Sequence, residues 1–458
     1  MNHQFINEHK NVIPDTVPGT PILSLASRLS SLVLLLLLAA CSDFFHPVKS
    51  TPEPTEYSFN YWLLQRQYLF EDELVNLPED GDSVQVLYKA LKDPYTQYVP
   101  PSKSEAAVIR STTSMVEGDV GMRYFYNYNL NYPIIITRVY PQGPAGRAGI
   151  PRNGRILEAN GIELTGESAK TVYDSIINYS KNVNLLIAYK GDTTLYELEK
   201  ETIYAPTVFV DTLYKDSAKG YPGIIIVSIE AFKIVTADRD SGTYGELKTY
   251  LIESASDKRV RVLDLRNNPG GHVSQCIDMA DLFSKEGTLS TRRWRSVTAD
   301  GGSAFYTSTE TAKAGDPGES GKFLILANRG SASCTEIFIA AVTETTDIPF
   351  VGGTTYGKGI GQTMFYTYEN GLAKITDLEF ITPKGNSYHG VGIVPKYECE
   401  GDIDTYCAAK IANKLYGVKI PEQSENALEK RQYEQAHNTT DSNDIYDFGG
   451  AYEWGVYP

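Results

Sequence analysis

The chain has 458 residues, of which 41% are hydrophobic and 22% are charged, and its formal net charge is −15. This length predicts two or three domains, and this composition is typical of globular proteins with buried cores. The excess of acidic residues argues against nucleic-acid binding, which needs a basic surface, and against electrostatic attraction to anionic lipid. The sequence therefore predicts no nucleic-acid partner.

The N-terminal residues 1–41 have the pattern of an export signal. Arg28 precedes an apolar run at residues 32–38, and two alanines separate this region from Cys41. The run is too short for a transmembrane helix, which needs about 20 residues. A positive charge, a short apolar core and small residues in this order are typical of a secretory signal peptide.

The sequence LAAC that ends at Cys41 resembles the lipobox of bacterial lipoproteins. The resemblance implies that Cys41 is lipidated, becomes the mature N-terminus and anchors the protein to a membrane. It also implies a place in the bacterial cell envelope, facing the periplasm or the outside. An ordinary signal peptide that is cut nearby and leaves Cys41 free is the alternative.

Of the five cysteines, four follow this segment, and export would place them in an oxidising compartment. Cys399 and Cys407 are close in sequence, but spacing alone does not establish a disulfide. The chain has no CxxC pair and no histidine cluster with the spacing of metal ligands. The sequence therefore predicts neither a structural zinc site nor a cofactor.

The segments before residue 204 predict a linker, a helical region and a small mixed domain. Residues 42–56 contain three prolines and few apolar residues, which is typical of a linker. Residues 57–108 carry YWLLQRQYLF and SVQVLYKALKD, whose apolar residues recur at helical spacing. Residues 109–203 combine the strand PIIITRVY, the helix ESAKTVYDSIINY and the strand pair NVNLLIAYKG and TTLYELEKE.

The stretch PQGPAGRAGIPRNGRILEANG, within residues 109–203, resembles the PDZ domains of exported proteases. Its glycines allow tight turns with positive φ. The resemblance implies that EGDVGMRYF is a carboxylate-binding loop, in which backbone N–H groups near Gly121 and Met122 bind a chain terminus. A β-rich spacer that binds no ligand is the alternative.

Residues 204–418 alternate short apolar strands with helical stretches. The strands are GIIIVSIEAF, VRVLDLRNNPGG, KFLILANRG and PFVGGTT, and two of the helices are GTYGELKTYLIESA and SQCIDMADLFSK. This alternation predicts a mainly parallel α/β sheet, in which ligand sites lie at the C-terminal ends of strands. The predicted fold class is thus a multidomain α/β and α+β protein with a helical element, a PDZ-like domain and an α/β core. The polar, acidic residues 419–458 predict a poorly ordered tail.

A turn of small residues, ANRGSASC, joins an apolar strand to an apolar helix and holds three candidate nucleophiles, Ser331, Ser333 and Cys334. Small residues permit the close approach of a substrate backbone. Ser333 and Glu336 also match the S-x-x-E capping box, so this stretch alone is more typical of a helix cap that has no catalytic role.

Two further glycine-rich turns follow predicted strands. In VGGTTYGKGIGQ, Lys358 lies between two glycines, and a buried lysine can be neutral and act as the base that a serine needs. Gln362 follows in the same turn and can orient the amine; a surface lysine is the alternative. In DLRNNPGGH, Gly270 or Gly271 can offer a backbone N–H to an oxyanion, with the N–H of Cys334 as a second donor. A Pro-Gly turn without a ligand is the alternative.

Four motifs, placed after a PDZ-like segment, resemble those of the C-terminal processing (tail-specific) serine proteases: LDLRNNPGG, NRGSASCTE, GKGIGQ and ITPKGNSYHGVGIVPKYE. The resemblance implies that Ser333 is the nucleophile, Lys358 its general base and Gln362 a partner of the lysine. It places the oxyanion glycine at Gly270 or Gly271. It also implies an acyl-enzyme mechanism and, as substrates, unfolded or flexible C-terminal tails of proteins. A homo-oligomer or a regulatory partner is compatible with it.

Three other interpretations stay open on the sequence. A cysteine hydrolase would use Cys334 with His272 or His389, which lie near the same turns. A Ser–His variant of the same fold would pair Ser333 with His272. A catalytically inactive, lipid-anchored peptide-binding protein is the non-enzymatic alternative, although intact Ser333 and Lys358 argue against it.

Overall fold

The computed structural model describes residues 55–127, 130–298, 300–401 and 403–421, together with the backbone of Tyr452–Trp454. The predicted signal segment, the lipidation site at Cys41 and most of the acidic tail lie outside the described residues. Within the described ranges, no helix has the length and apolar character needed to cross a bilayer.

The helices, in chain order, are α1 (Glu56–Gln67), α2 (Gln85–Lys89), α3 (Pro101–Thr112), α4 (Pro144–Arg147), α5 (Ala169–Tyr179), α6 (Gly242–Glu253), α7 (Val273–Asp281), α8 (Cys334–Thr345) and α9 (Thr405–Tyr416). Short 3₁₀ helices lie at Glu71–Asn76 and Pro317–Glu319. The strands are β1 (Gln97–Val99), β2 (Met115–Asp119), β3 (Met122–Tyr126), β4 (Ile134–Val139), β5 (Arg155–Ala159), β6 (Ile162–Glu163), β7 (Asn182–Tyr189), β8 (Asp192–Glu199), β9 (Glu201–Tyr204), β10 (Val208–Asp216), β11 (Tyr221–Ile229), β12 (Arg261–Asp264), β13 (Thr288–Val297), β14 (Ser303–Thr311), β15 (Phe323–Ala327), β16 (Phe350–Gly352), β17 (Ile360–Tyr366), β18 (Leu372–Ile381), β19 (Tyr397–Glu398) and β20 (Tyr452–Trp454).

The N-terminal helical region packs on a sheet that the sequence analysis did not predict. Strands β14, β13, β18 and β17 are neighbours in this order, and β1 pairs with β18. Leu63 and Leu64 of α1 and Leu87 of α2 are fully buried against Phe365 and Ile375 of this sheet. The helices therefore share a hydrophobic core with strands that lie about 300 residues later in the sequence.

A small antiparallel sheet forms the next part of the chain. Its strands are arranged β3, β4, β5, β7 and β8, and β3 is at one edge. Helix α5 packs on it through Tyr173, next to Ile136, Ile156 and Leu185. Strands β2 and β9, where the chain enters and leaves this module, pair with each other.

The largest sheet has the order β10, β11, β12, β15, β16 and β19. Pairing is parallel from β11 to β19, and β10 is an antiparallel edge strand. Leu263 and Ile325 bury one face against α6, α7 and α8, and Val262 and Leu324 bury the other face against α9. The predicted fold class, with a mainly parallel α/β core, is confirmed.

Parallel pairing brings the polar turns together at one edge of this sheet. Because β12, β15 and β16 run in the same direction, the residues that follow each of them lie at the same edge. Gly270 follows β12, Ser333 follows β15, and Lys358 follows β16. The topology therefore assembles three turns that are far apart in the sequence.

Candidate active site

Ser333 lies at a sharp junction between a strand and a helix. Strand β15 is wholly buried, and the first nine residues of α8 are buried as well, so both elements are fixed in the core. Ser333 itself has φ 58° and ψ −119°, a conformation that costs a non-glycine residue on the order of 1–3 kcal/mol. The neighbouring Ser331 has a structural contact, since its hydroxyl donates to the carbonyl of Leu265 at 2.8 Å.

The Glu336 carboxylate joins the serine turn to the lysine turn. One oxygen, Oε2, accepts the backbone N–H of Ser333 at 2.9 Å and that of Lys358 at 2.7 Å. The other, Oε1, accepts the N–H of Gly357 at 2.6 Å and the hydroxyl of Thr355. Burial raises the pKa of Glu336, and these hydrogen bonds oppose that rise because they favour the carboxylate. Glu336, which the sequence predicts as part of a capping box, thus also links the turns of Ser333 and Lys358.

The Lys358 side chain is buried, with 1% of its surface exposed. Its Nζ donates to Oε1 of Gln362 at 3.0 Å and lies 4.2 Å from the centre of the Tyr95 ring. Nε2 of Gln362 donates to the hydroxyl of Thr376 at 3.0 Å, and that hydroxyl donates to Asp93 at 2.6 Å. Because the Thr376 proton is used on Asp93, its oxygen must accept from the amide nitrogen, and the amide oxygen is then directed at Lys358.

Gly270 packs closely against the turn that holds Ser333. A Cβ added at Gly270 would be 3.0 Å from Cβ of Ser333, 2.9 Å from the backbone nitrogen of Cys334 and 2.8 Å from the carbonyl of Ala332. A side chain at Gly270 would therefore collide with this turn, and its absence keeps that side of the Cys334 N–H uncovered, as an oxyanion donor requires. The N–H of Gly270, one of the two predicted oxyanion donors, instead donates to Oδ1 of Asn268 at 2.9 Å. A Cβ at Gly271 would meet the carbonyl of Phe232 at 2.0 Å, so that position permits only glycine.

The sequence profile of peptidase family S41 matches residues 223–399, which contain all three turns. A probable CtpA-like serine protease of Staphylococcus aureus (strain N315) is 27% identical over 381 residues, which cover 80% of this chain and 70% of that protein. The chain is therefore a serine-type peptidase, and its residues 223–399 are similar to family S41. The predicted resemblance to the C-terminal processing serine proteases is thereby confirmed.

A solved structure shares the fold of this peptidase. A putative S41 protease from Bacteroides fragilis aligns with a TM-score of 0.50 at 14% identity, covering 85% of this chain and 98% of that one. A photosystem II D1 C-terminal processing protease aligns with a TM-score of 0.46 at 21% identity, covering 79% of this chain and 97% of that one. The first of these likenesses supports the mixed α/β architecture.

The peptidase has no free thiol at Cys334, so the interpretation as a cysteine hydrolase is wrong. Cys334 forms a disulfide with Cys276 of α7, and a disulfide sulfur is not a thiolate nucleophile. The sequence did not predict this pairing, because the two residues are 58 positions apart. Cys399 and Cys407, whose spacing left the question open, form a second disulfide.

The His272 ring makes its hydrogen bond with Ser274. Its Nδ1 lies 2.9 Å from the hydroxyl of Ser274, and its Nε2 is buried without a hydrogen-bond partner among the described residues. Burial lowers its pKa to about 4, which makes the ring a weak base. His389, the other candidate, has an exposed side chain in the turn next to Gly359.

The loop that the sequence predicts to bind a carboxylate is occupied by a side chain of the peptidase itself. The N–H of Gly121 donates to Oδ1 of Asp119 at 2.5 Å, and Met122 is buried at the start of the edge strand β3. The Tyr124 hydroxyl of β3 donates to Asp174 of α5, and its ring contacts Tyr173. Strand β3 and helix α5 are thus linked by side chains.

Sequence reasoning missed the contribution of the N-terminal region. Asp93 and Tyr95 belong to DPYTQY, which resembles an ordinary turn, yet Asp93 ends the hydrogen-bond chain from Lys358 and Tyr95 covers its amine. Thr376 of β18 is the intervening residue. Nothing in the local sequence indicates these roles, since they depend on the packing of the N-terminal helices on the antiparallel sheet.

Proposed function

We propose that this peptidase cleaves peptide bonds with a catalytic dyad of Ser333 and Lys358. The observation that supports it most is the shared oxygen of Glu336, which binds the backbone of both residues and so brings the nucleophile and the base into adjacent positions. The strained backbone of Ser333 is a second support, since strain of this kind clusters at active sites.

In the proposed reaction, the uncharged amine of Lys358 takes the proton of the Ser333 hydroxyl as Oγ attacks the peptide carbonyl. Burial disfavours the charged form of an amine, which is the direction that a lysine base requires. The oxyanion lies next to Gly270, with the N–H of Cys334 as a donor. The lysine then gives its proton to the leaving amine, an acyl-enzyme remains on Ser333, and water activated by Lys358 releases it.

Gln362 has the role of orienting the base. Its amide oxygen accepts a hydrogen bond from Nζ, and the Thr376–Asp93 pair fixes which way the amide points. The base therefore has one preferred direction, which a flexible lysine side chain does not have by itself.

Substrate capture by the PDZ-like module is the second part of the proposal. The free edge of β3 is suited to adding an extended peptide as a further strand, with its terminal carboxylate at the N–H groups of Gly121 and Met122. Asp119 now accepts the Gly121 N–H, so a substrate carboxylate would take the place of another carboxylate. The substrates are flexible C-terminal tails of proteins.

We also propose that the enzyme works outside the cytoplasm, in the bacterial cell envelope, and is anchored by lipid at Cys41. The Cys276–Cys334 and Cys399–Cys407 disulfides support this location, because disulfides persist in oxidising compartments.

Substitution of the two dyad residues tests the mechanism. Ser333→Ala and Lys358→Met should each lower kcat/KM for a fluorogenic peptide by more than about 10³-fold. Circular dichroism and the melting temperature should show that both variants stay folded. His272→Asn is the control and should keep most of the activity. Loss of activity in His272→Asn with retention in Lys358→Met would favour the Ser–His variant instead.

A further inference from the structure

A cavity of about 480 Å³ lies beside the proposed oxyanion site. Gly270 and Gly271 form part of its wall, and Gly270 is the residue that contacts Ser333. The rest of the wall comes from α3, from the segment after β11, and from β1, β17 and β18, including the apolar side chains of Val99, Ala107, Ala231 and Met364. A peptide bound for cleavage at Ser333 would have this cavity next to its reacting bond.

The wall of this cavity is basic, although the protein as a whole is acidic. It contains Lys103 and Arg110 of α3, Lys233 after β11 and Lys374 of β18, and none of the described residues that line it is Asp or Glu. Because the wall contributes four positive charges, the rest of the chain has a formal net charge more negative than the −15 of the whole protein. A local concentration of positive charge in such a protein raises the local concentration of anions.

The four cations converge on one space from three separate elements. Lys103 and Arg110 are seven positions apart, so they lie on the same face of α3, two turns from each other. Lys374 is buried, with 5% of its surface exposed, and therefore belongs to the inner wall. The amine of Lys233 donates to the carbonyl of Arg110 at 2.6 Å, which fixes the end of α3 to the loop after β11.

We infer that this cavity binds a carboxylate of the substrate, carried by an acidic side chain or by the chain terminus within a few residues of the scissile bond. Ammonium and guanidinium groups are the protein groups that bind carboxylates most strongly, and arginine can do so with two parallel hydrogen bonds. The apolar side chains of Val99 and Met364 suit the aliphatic part of the same peptide. The inference rests on the proposed peptidase function, and it adds a charge preference near the cleavage point to tail recognition by the PDZ-like module.

Matched peptides separate the two sources of a carboxylate. One pair carries Glu or Gln near the scissile bond and has an amidated C-terminus, and a second pair has no acidic residue and ends in a free or an amidated C-terminus. In at least one pair, we expect the peptide with the additional carboxylate to be cleaved with a kcat/KM about tenfold higher than the peptide without it. The difference should shrink as salt is raised, because screening weakens charge pairs that are open to solvent.

Variants of the exposed helix α3 test the wall itself. The double variant Lys103→Gln with Arg110→Gln removes two of the four cations and should strongly reduce the preference for the carboxylate over its neutral partner. Lys285→Gln, an exposed lysine outside the wall, is the control and should keep the preference. Arg110→Glu should weaken the preference for the carboxylate more than Arg110→Gln does.

Binding to the Ser333→Ala variant, measured by fluorescence anisotropy, tests the cavity without relying on cleavage. Tighter binding of the acidic peptides, strongly reduced in the α3 double variant, supports the inference even if the proposed dyad proves wrong. Equal binding and equal cleavage of acidic and neutral peptides by the wild-type chain would overturn it. So would a preference that the double variant leaves intact.

Discussion

Ser333 adopts a backbone conformation that a serine in solution rarely visits, and its surroundings enforce it. The buried strand β15 and the buried helix α8 fix the chain on either side, and the Glu336 carboxylate holds the N–H of Ser333 itself. The same carboxylate holds the turn of Lys358. A single acidic side chain thus couples the geometry of the proposed nucleophile to that of its base.

Gly270→Ala should remove activity with little effect on other parts of the fold. The new Cβ would lie 2.9 Å from the Cys334 nitrogen, so it would cover or displace the N–H that is proposed to hold the oxyanion, and kcat should fall by at least about 10²–10³-fold. Steady-state kinetics on a short peptide measures the effect.

Gly385→Ala is the matched control for this substitution. Gly385 also has a positive φ, 84° against 101° at Gly270, but a Cβ there would have no neighbour within 4 Å. It should cost similar backbone strain and leave kcat unchanged. Equal losses of kcat in the two variants would show that strain, and not loss of the oxyanion donor, explains the result.

Helix α8 is tied to helix α7 by a disulfide next to the proposed nucleophile. Both Cys276 and Cys334 are completely buried, and the bridge closes a long loop of the chain. Replacing both cysteines by alanine should lower the free energy of unfolding by about 2–5 kcal/mol. It should also lower kcat, because the first turn of α8 carries the proposed oxyanion donor. Urea unfolding and kinetics check the two effects separately.

The Cys399–Cys407 disulfide provides the control for removal of the Cys276–Cys334 disulfide. It joins residues eight positions apart near the start of α9, on the other face of the large sheet. Its double alanine variant should lose stability but keep kcat. A normal kcat in the Cys276 and Cys334 double variant would mean that the first bridge has only a structural role.

The PDZ-like module is joined to the large sheet through a buried carboxylate. Asp211 of β10 accepts Nη1 of Arg138 at 2.6 Å and also pairs with Arg152, and both arginines belong to the module. Burial by itself would raise the pKa of Asp211, but the two guanidinium groups outweigh it and hold the pKa below its usual value. The carboxylate therefore stabilises the folded protein only when it is ionised.

Asp211→Asn should destabilise the protein at neutral pH by roughly 3–5 kcal/mol, since it leaves two arginines beside a neutral group. A lowered pKa gives a contribution that is complete above the usual pKa of an aspartate and is lost as pH falls through the lowered pKa. The difference in unfolding free energy between wild type and variant should therefore shrink toward pH 2. Urea unfolding at pH 7, 4 and 2.5 measures it.

Asp257→Asn is a suitable comparison for Asp211→Asn. The hydrogen bond from Arg259 lowers the pKa of Asp257 to about 2, but this pair is partly exposed and lies within two residues of sequence. Its loss should cost less than about 1 kcal/mol. If the effect of Asp211→Asn were equally small and independent of pH, the carboxylate would not be what stabilises the contact between module and sheet.

The sequence by itself determined the local chemistry of this peptidase. Short apolar strands that end in glycine-rich turns predicted the parallel sheet and its active edge. The motifs around Ser333, Lys358 and Gln362 indicated a serine peptidase, because each motif is contiguous and its spacing is imposed by one turn. The strands of the antiparallel sheet were missed, because no single one of them has an unambiguous pattern.

Only the tertiary structure decided which distant residues support that chemistry. The Cys276–Cys334 disulfide, the Thr376–Asp93 pair behind Gln362 and the basic cavity beside Gly270 each combine residues from separate elements. Contacts of this kind depend on how helices and strands pack, and packing is a property of the whole chain. Local sequence carries no record of it, since the same side chains could occupy an ordinary turn or an exposed helix face.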